Sequence, residues 1–594
     1  MAHHQRSASS DWGLIEENAG NCQGKGWKGW YFFTNLRSMQ KQCVIGYQFK
    51  LGQKVLLGLV AIGVDRMLGR FIYALFFGVF FGLSPCALAN TPADTLVIAK
   101  NIDDMITLDP AEAYEFTGIE VIANMYDRIM RFEPTDITKL VPGVAESYSV
   151  SDNGKTFTFK IRPNQKFASG NPITAEDAAY SLQRVIKLDK NPAFLITQLG
   201  WNKDNVDQLV KAVDSRTLQI TITEDFSPSL VLSLMSSVIG SVVDMKTVMA
   251  HEMADDMGLA WLKTHSAGSG AYVLKGWKPD VSVVLDANAN YRGGVAALKR
   301  VVIRHVVEPA SQRLLIEKGD VDIARDIAPN QIKGVAGNTD VAATTVPQES
   351  LYYVGLNLKT VPFQNIKVRQ AMHYLVDYDG MVNSFLEGNK KVHQTFWPTG
   401  LWASLDENEY TFDPAKAKAL LAEAGYPDGF EVTLDSPNSS PFSNMAQSIQ
   451  STMAQGGIKV DIILGEQKTV LTKYRARQHQ MLLINWGPDY MDPHTNADFF
   501  ARNPDNSDEA KSRTLAWRNS WEIPDITAIT NAAVREHDTA KREQMYKVLQ
   551  RRVMDEGPFI IMFQETKQLA RRANVKNFVM GPSSDVVYYN LTTK

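Results

Sequence analysis

Residues 145–185 constrain the fold of this chain more than any other part of the sequence. Thr156–Ile161 alternates apolar and polar residues, which predicts a half-buried strand. The triplet Asp152–Gly154 before it favours a tight turn, so the two features together predict a hairpin. Thr174 is followed three residues later by Asp177, and this spacing predicts a helix with a reciprocal N-terminal cap. Strand and helix patterns are mixed along the rest of the chain.

The residues of this segment resemble the signature of a known family. Residues 156–162 read TFTFKIR, and residues 167–178 read FASGNPITAEDA. The peptide/nickel-type substrate-binding proteins of ABC importers (the DppA/OppA-like solute-binding family 5) carry T-[FY]-T-F-x-[IL]-R, then F-x-x-G-x-P-x-T-A-x-D. Residues 352–371 and 413–429 resemble the same family. Together the matches extend over roughly residues 95–590.

The resemblance implies a venus-flytrap fold, in which two α/β lobes are hinged around a ligand cleft and lobe I carries an extra subdomain. It places lobe I at residues 90–134, 266–350 and 571–594. The accessory subdomain would occupy residues 135–265, and lobe II residues 351–570. Members of this family capture a ligand by hinge closure and present it to the permease subunits of an ABC transporter.

The N-terminal region has the order of a secretory signal peptide. Met67–Arg70 supplies a positive start, Phe71–Leu83 is apolar, and Ala87–Ala89 is an A-x-A cleavage box. We therefore expect a signal peptide over residues 67–89. The alternative is a membrane anchor, but the apolar run falls short of the ~20 residues that span a bilayer. Residues 1–66 fit neither a signal peptide nor a domain, and we interpret them as a mis-called upstream extension.

The cysteines support export. All three, Cys22, Cys43 and Cys86, precede the predicted cleavage site, so the mature chain would need no disulfides. Cys86 follows Pro85, where a lipoprotein signal requires a small residue, so a lipid anchor is disfavoured. We expect a soluble, monomeric protein in the periplasm of a Gram-negative cell.

The charge of the mature chain excludes one class of partner. The whole chain has 62 basic and 65 acidic residues, of which 9 and 4 precede residue 90, so the mature net charge is −8. No basic run is longer than two or three residues. We therefore expect no nucleic-acid partner.

Residues 484–493, INWGPDYMDP, are the main candidate for a ligand site. An apolar strand ends at Gly487, so Asp489 would lie at its mouth between the rings of Trp486 and Tyr490. A carboxylate pairs with an ammonium group, and a ring face adds about 0.5–2 kcal/mol of cation–π attraction. The alternative is that Asp489 caps a turn and Trp486 is core. The resemblance favours ligand contact, because W-x-x-D at this place anchors the peptide α-amino group in peptide-binding members.

One departure from the family concerns the other end of the ligand. Dipeptide-specific members carry an arginine before P-Y or P-F that fixes the peptide carboxylate. Here Ser440 stands before Pro441, and Phe442 follows. We expect no carboxylate clamp at this position. The ligand would then be a longer or modified peptide, and the alternative is an opine, an oligosaccharide or a metal chelate.

Three other loops contain weaker candidates. The first follows Leu108-Asp109-Pro110, the second is a glycine-rich turn, and the third lies among Gly and Pro residues. Their alternatives are a surface loop, a structural turn and core packing. The candidates are Tyr114, Glu115, Phe116 and Thr117 in the first loop, Gly268, Ser269 and Gly270 in the second, and Trp397 in the third.

Enzyme chemistry finds little support in the sequence. The segment His251–Asp255 lacks the second histidine of a zinc-protease helix. Gly268–Gly270 lacks the frame of a hydrolase nucleophile elbow. The eight histidines of the mature chain are scattered. We predict a binding protein with no cofactor and no metal, and a secreted hydrolase is the distant alternative.

Overall fold

The computed structural model describes residues 91–335 and 337–594, with no side-chain description at residues 137 and 138. The predicted upstream extension and signal peptide, residues 1–89, lie outside the described residues. Among the helices of residues 91–335 and 337–594, none combines the length and the hydropathy of a membrane span. In chain order the strands are β1 (Thr95–Lys100), β2 (Met130–Glu133), β3 (Asp136–Pro142), β4 (Ala145–Val150), β5 (Thr156–Ile161), β6 (Val210–Asp214), β7 (Thr217–Thr221), β8 (Tyr272–Lys278), β9 (Ser282–Ala287), β10 (Arg300–His305), β11 (Ile323–Ala324), β12 (Val341–Leu356), β13 (Lys390–Val392), β14 (Glu431–Pro437), β15 (Lys459–Gly465), β16 (Met481–Trp486), β17 (Phe559–Arg572), β18 (Val579–Met580) and β19 (Val587–Tyr588).

Helices occur between the strands along the described residues. The α-helices are Phe116–Met125, Ala175–Leu188, Phe194–Thr197, Val206–Leu209, Pro228–Leu234, Met245–Met249, Leu259–Leu262, Pro309–Lys318, Pro329–Val335, Ile366–His373, Tyr378–Val382, Pro414–Glu423, Phe442–Ala454, Gln467–Arg475, His494–Phe500, Leu515–Arg518, Pro524–Ala533 and Thr539–Glu556. This mixture of strands and helices confirms the predicted α/β class.

One eleven-stranded mixed sheet connects the two halves of the molecule. Its order is β15-β14-β16-β12-β17-β11-β1-β10-β9-β8, and β13 pairs with β17. The long strands β12 and β17 run antiparallel to each other, and their register shifts between Pro347 and Leu351. The predicted lobe junctions at 350/351 and 570/571 fall inside these two strands. The exact lobe boundaries stay a prediction.

The accessory region has its own antiparallel sheet, of order β4-β5-β7-β6. As predicted, Thr156–Ile161 is a strand, and its Phe157 and Phe159 side chains are fully buried in a separate hydrophobic core. The predicted capping box is also present. The Asp177 amide donates to Thr174 Oγ1 at 3.4 Å, and the Thr174 amide donates to Asp177 Oδ2 at 2.9 Å. This cap fixes where the helix Ala175–Leu188 begins.

An apolar stripe through Ile119, Ile122, Met125 and Ile129 predicts a helix over residues 118–132, and this prediction is correct as far as Met125 and wrong beyond it. The helix ends at Met125, Tyr126 is extended, and β2 begins at Met130. The apolar stripe is divided between two cores, because Ile122 and Met125 pack in the core around β1 while Ile129 packs in the accessory core. Helical spacing alone does not reveal that change of partner.

Four buried histidines predict sensitivity of the fold to acid. Burial lowers the pKa of His373 to about 3, and those of His393, His479 and His494 to about 4. In the unfolded chain each would take a proton near its ordinary pKa of about 6.5, so the unfolded state binds more protons below that pH. We expect the free energy of unfolding, measured by urea melts, to fall between pH 6.5 and 4.

Each such histidine contributes up to about 1.4 kcal/mol per pH unit in that window. The variant His373→Gln should therefore show a shallower pH slope than the wild type. The exposed His537 offers a matched control, and His537→Gln should keep the wild-type slope. Equal slopes in all three proteins would contradict the prediction.

Candidate ligand-binding site

Two loops from opposite halves of the molecule meet at Asp489. One follows β16 and carries Asp489, and the other precedes the helix Phe116–Met125 and carries Tyr114. The Tyr114 hydroxyl donates to Asp489 Oδ1 at 2.7 Å across a sequence separation of 375 residues. The Asp489 amide donates to Thr495 Oγ1 at 3.1 Å, which holds the loop in place. The structure therefore brings together two of the residues that the sequence singles out.

A cavity opens beside this contact, and its empty space, part of it open to solvent, is about 930 Å³. Its wall contains three carboxylates, those of Glu349, Asp489 and Asp585, and no Lys, Arg or His side chain. The lining residues are Tyr114, Phe116, Ile119, Leu195, Ser237, Val238, Glu349, Ser350, Asn485, Gly487, Pro488, Asp489, Tyr490, Met491, Ser583, Ser584 and Asp585. This arrangement suits a positively charged group.

The electrostatics of the cavity wall agree with that conclusion. Burial raises the pKa of the Asp489 carboxyl, and the hydrogen bond from Tyr114 offsets part of the shift. Burial raises the pKa of Glu349 well above its usual range, and repulsion from Asp585 and Asp489 adds to the effect. The ionised carboxylates are therefore destabilised until a donor or a cation joins them.

A second cavity, with about 1040 Å³ of empty space that is partly open to solvent, adjoins the first and shares Asp489 and Tyr490 with it. Its walls come from the accessory region and from the helices around residues 494–502 and 531–535. The lining residues are Phe194, Gln198, Glu224, Asp225, Phe226, Asp489, Tyr490, His494, Thr495, Asp498, Phe499, Arg502, Asn531, Val534 and Arg535. Unlike the first cavity, this one contains basic side chains.

The two rings next to Asp489 have different surroundings. Tyr490 lines both cavities, although it is largely buried and packs with the accessory core. Trp486 lines neither cavity. Its indole Nε1 donates to Asn496 Oδ1 at 3.1 Å, and its ring lies 4.4 Å from that of Phe499. Trp486 therefore packs behind the loop that carries Asp489.

The other residues of the Tyr114 loop are distributed around the site. Phe116 lines the main cavity, and 64% of its surface is exposed. The backbone amide of Thr117 donates to Asp104 Oδ2 at 3.0 Å, and Thr117 lines a neighbouring cavity. Glu115 accepts from the Tyr114 amide at 3.2 Å and lines neither cavity at Asp489.

The glycine-rich turn packs against backbone. A Cβ at Gly268 would lie 2.1 Å from the Met125 carbonyl oxygen, and one at Gly270 would lie 2.5 Å from the Met125 carbonyl carbon. Ser269 Oγ donates to Asp127 Oδ2 at 3.1 Å. The glycines thus permit a close approach of two chain segments, which agrees with the alternative of a structural turn.

Three further candidates lie away from the two cavities at Asp489. Trp397 is fully buried, and its Nε1 donates to the Trp402 carbonyl at 2.8 Å. Phe442 is buried with its ring 5.4 Å from that of Tyr352. Ser440 is exposed. These placements favour a core role for the two aromatic residues, and their ligand contact stays an untested prediction.

Two of the carboxylates in the cavity wall are not predicted from the sequence. Glu349 lies within β12 at the register shift, and Asp585 lies in a short turn of 3₁₀ helix near the C-terminus. They are more than 200 residues apart, and neither belongs to a local motif. Only the folded chain places them in one wall.

A buried arginine–aspartate pair fixes each of the two site loops. Arg542 donates to both carboxylate oxygens of Asp492, at 2.7 and 2.8 Å, just after the Asp489 loop. Arg184 donates to both oxygens of Asp109, at 2.7 and 2.6 Å, just before Tyr114. Such two-point contacts hold planar groups in a single orientation. The loops are therefore rigidly positioned.

The long strands β12 and β17 join the two halves of the large sheet, and a cavity lies between loops from both halves. This is the architecture of a two-lobed binding protein. The chain belongs to the bacterial extracellular solute-binding proteins of family 5. The model of that family's middle region matches residues 139–508, which is more than half of the chain. The predicted family and the predicted two-lobe fold are thereby confirmed.

Individual relatives agree with this membership. The "Probable D,D-dipeptide-binding periplasmic protein DdpA" of Escherichia coli strain K12 is 29% identical over 514 residues, covering 86% of this chain and 96% of the relative. The "Dipeptide-binding protein" of the same strain is 26% identical over 480 residues, covering 77% and 87%. The solved structure of HbpA2 from Haemophilus parasuis matches with a TM-score of 0.72 at 22% identity, covering 84% and 99%. That structural likeness concerns the fold.

Proposed function

We propose that this protein is the periplasmic substrate-binding component of an ABC importer that takes up peptides with a free amino terminus. The observation that carries the proposal is Asp489, which stands at the junction of two cavities and accepts a hydrogen bond from Tyr114 of the facing lobe. Its relatives from Escherichia coli carry dipeptide-binding names, which supports peptides as the ligand class.

The proposed mechanism is capture by lobe closure. Asp489 lies on the loop after β16, in the predicted lobe II, and Tyr114 lies on the loop before the helix Phe116–Met125, in the predicted lobe I. A peptide ammonium that binds Asp489 while its chain contacts the Tyr114 loop stabilises the closed arrangement more than the open one. The ligand therefore shifts the population toward the closed form, which we expect a membrane permease to recognise.

The same proposal assigns a place and a form to the protein. It acts as an exported monomer in the periplasm and performs no catalytic reaction. A secreted hydrolase is the rival function. Incubation with a peptide library and analysis by mass spectrometry distinguish the two, because a binding protein returns the peptides intact.

A ligand panel tests the ligand class. Peptides of two to five residues, their N-acetylated counterparts, opines, oligosaccharides and metal chelates are compared by thermal shift and calorimetry. We expect only free-amine peptides to stabilise the fold, by about 2.7 kcal/mol when the ligand is at 100 times its Kd.

Two results would contradict the proposal in different ways. Equal stabilisation by N-acetylated and free-amine peptides would show that Asp489 does not anchor an amino group. Stabilisation by an opine, an oligosaccharide or a chelate, with none by peptides, would replace the ligand class. The latter result would fit the departure at Ser440, where the family's arginine is missing.

A further inference from the structure

The first cavity, beside the Tyr114–Asp489 contact, is lined by more carboxyl groups than one ammonium group can balance. Asp489, Glu349 and Asp585 all line it, and no basic side chain does. Arg128 pairs with one of these carboxylates, and its Nη1 lies 3.3 Å from Asp585 Oδ2. With all three carboxylates ionised, Arg128 and one ligand ammonium would still leave one negative charge without a partner.

Asp585 has an oxygen that lacks a hydrogen-bond partner. The residue is only 7% exposed. Arg128 holds it from one side, because Nη1 approaches Oδ2 and Nη2 donates to the Asp585 backbone carbonyl at 2.8 Å. Asp585 Oδ1 has no partner in the structure. A buried carboxylate oxygen in this condition costs free energy until a donor reaches it.

Glu349 stands in the same wall. It lies where the register of β12 against β17 shifts between Pro347 and Leu351, and its half-buried side chain lines the cavity. Burial raises the pKa of this carboxyl, repulsion from Asp585, Asp489 and Glu565 adds to the shift, and a hydrogen bond with Ser583 offsets part of it. A proton on Glu349 relieves this repulsion, and a cation bound beside the carboxylate would do the same.

We propose that the ligand carries two cationic groups, with a second site formed by Glu349 and Asp585. This inference rests on the proposed function, in which the ligand's α-ammonium binds Asp489. The second group is an alkylammonium or guanidinium that donates to Asp585 Oδ1 and pairs with Glu349. The preferred ligands are therefore peptides with a basic side chain near the amino terminus.

The test compares matched peptides that differ by one charge. Lys-Ala-Ala, Ala-Lys-Ala and Ala-Ala-Lys are titrated against their norleucine counterparts, which keep the side-chain length but lack the ammonium group. We expect the best lysine peptide to bind wild-type protein at least about tenfold more tightly than its norleucine counterpart, because a hydrogen bond to a charged group contributes more than a neutral one.

Variants locate the effect in the cavity wall. In Glu349→Gln the lysine preference should fall to less than about threefold, while the norleucine peptide keeps most of its affinity. Asp585→Asn should act in the same direction and serves if the first variant does not fold. The exposed Glu509 supplies the control, and Glu509→Gln should keep the full preference.

A second pair of probes separates this inference from the proposed function. The dication 1,5-diaminopentane is compared with pentylamine. If peptides bind but lysine gives no advantage, the second cation site is wrong and the peptide assignment stands. If no peptide binds but the diamine displaces the monoamine in a Glu349-dependent way, the peptide assignment is wrong and the cation site stands. If the lysine peptides bind no more tightly than the norleucine peptides, and 1,5-diaminopentane binds no more tightly than pentylamine, the inference is overturned.

Discussion

The variant Asp489→Asn should bind free-amine peptides at least about 30-fold more weakly than the wild type, and its fold should remain intact. Removing one partner of a buried charged hydrogen bond costs about 2–5 kcal/mol, and each 1.4 kcal/mol is a factor of ten in affinity. Asparagine has the shape of aspartate and keeps an acceptor for the Tyr114 hydroxyl. The loss should therefore come from the missing charge.

The chemical form of the ligand provides the internal check. An N-acetylated peptide has no ammonium group, so its weak binding should change little between wild type and Asp489→Asn. Calorimetry gives both affinities, and the thermal midpoint without ligand reports on the fold. Asp461 is exposed on β15 and lines neither cavity, so Asp461→Asn is the matched control. Equal losses for acetylated and free-amine peptides would contradict an electrostatic role of Asp489.

The fold was predictable where the signal is local in sequence. The cap at Thr174 and the strand over residues 156–161 depend on neighbours within a few positions. The helix Pro309–Lys318 likewise ends at Gly319, whose φ of 80° favours glycine. Asp413 caps the start of the helix Pro414–Glu423. Local hydrogen bonding and backbone sterics determine these features, so the sequence alone reveals them.

The candidate site was predictable only in part, because its geometry depends on distant partners. The family resemblance points to Asp489 and Tyr114 separately, yet their hydrogen bond joins residues 375 positions apart. Glu349 lies in the cavity wall because of how β12 pairs with β17, and Asp585 lies there because of where the C-terminal segment packs. Phe442 shows a related ambiguity, since an aromatic ring next to a proline looks the same in sequence whether it lines a pocket or packs in a core.

The pair Arg542–Asp492 shows how the structure holds Asp489 in position, and its loss should be the largest destabilisation among the changes considered. The two side chains are 0% and 3% exposed. Arg542 also donates to the Ala533 carbonyl at 3.1 Å and to Ser229 Oγ at 2.9 Å, and Ser229 belongs to the accessory region. The guanidinium thus joins the Asp489 loop to the helix Thr539–Glu556 and to a second region of the molecule.

We expect Arg542→Met to lower the free energy of unfolding by about 3–5 kcal/mol, because Asp492 would remain buried without its cation. The same helix offers a matched control in Arg551, which pairs with Glu407 at 2.6 Å but is 45% exposed. Arg551→Met should cost no more than about 1 kcal/mol, since exposed ion pairs contribute little. Urea unfolding followed by far-UV circular dichroism measures both values.

A double variant identifies the cause of the expected loss. If the cost comes from an uncompensated buried charge, Arg542→Met combined with Asp492→Leu should be more stable than Arg542→Met alone. Recovery should be incomplete, because Asp492 Oδ1 also accepts from the His494 amide at 3.0 Å at the start of the next helix. Equal stability of the Arg542 and Arg551 variants, or no recovery in the double variant, would mean that the pair does not hold the loop through its charge. The double variant should still bind free-amine peptides more weakly than wild type, because the loop that presents Asp489 would have lost its link to the helix behind it.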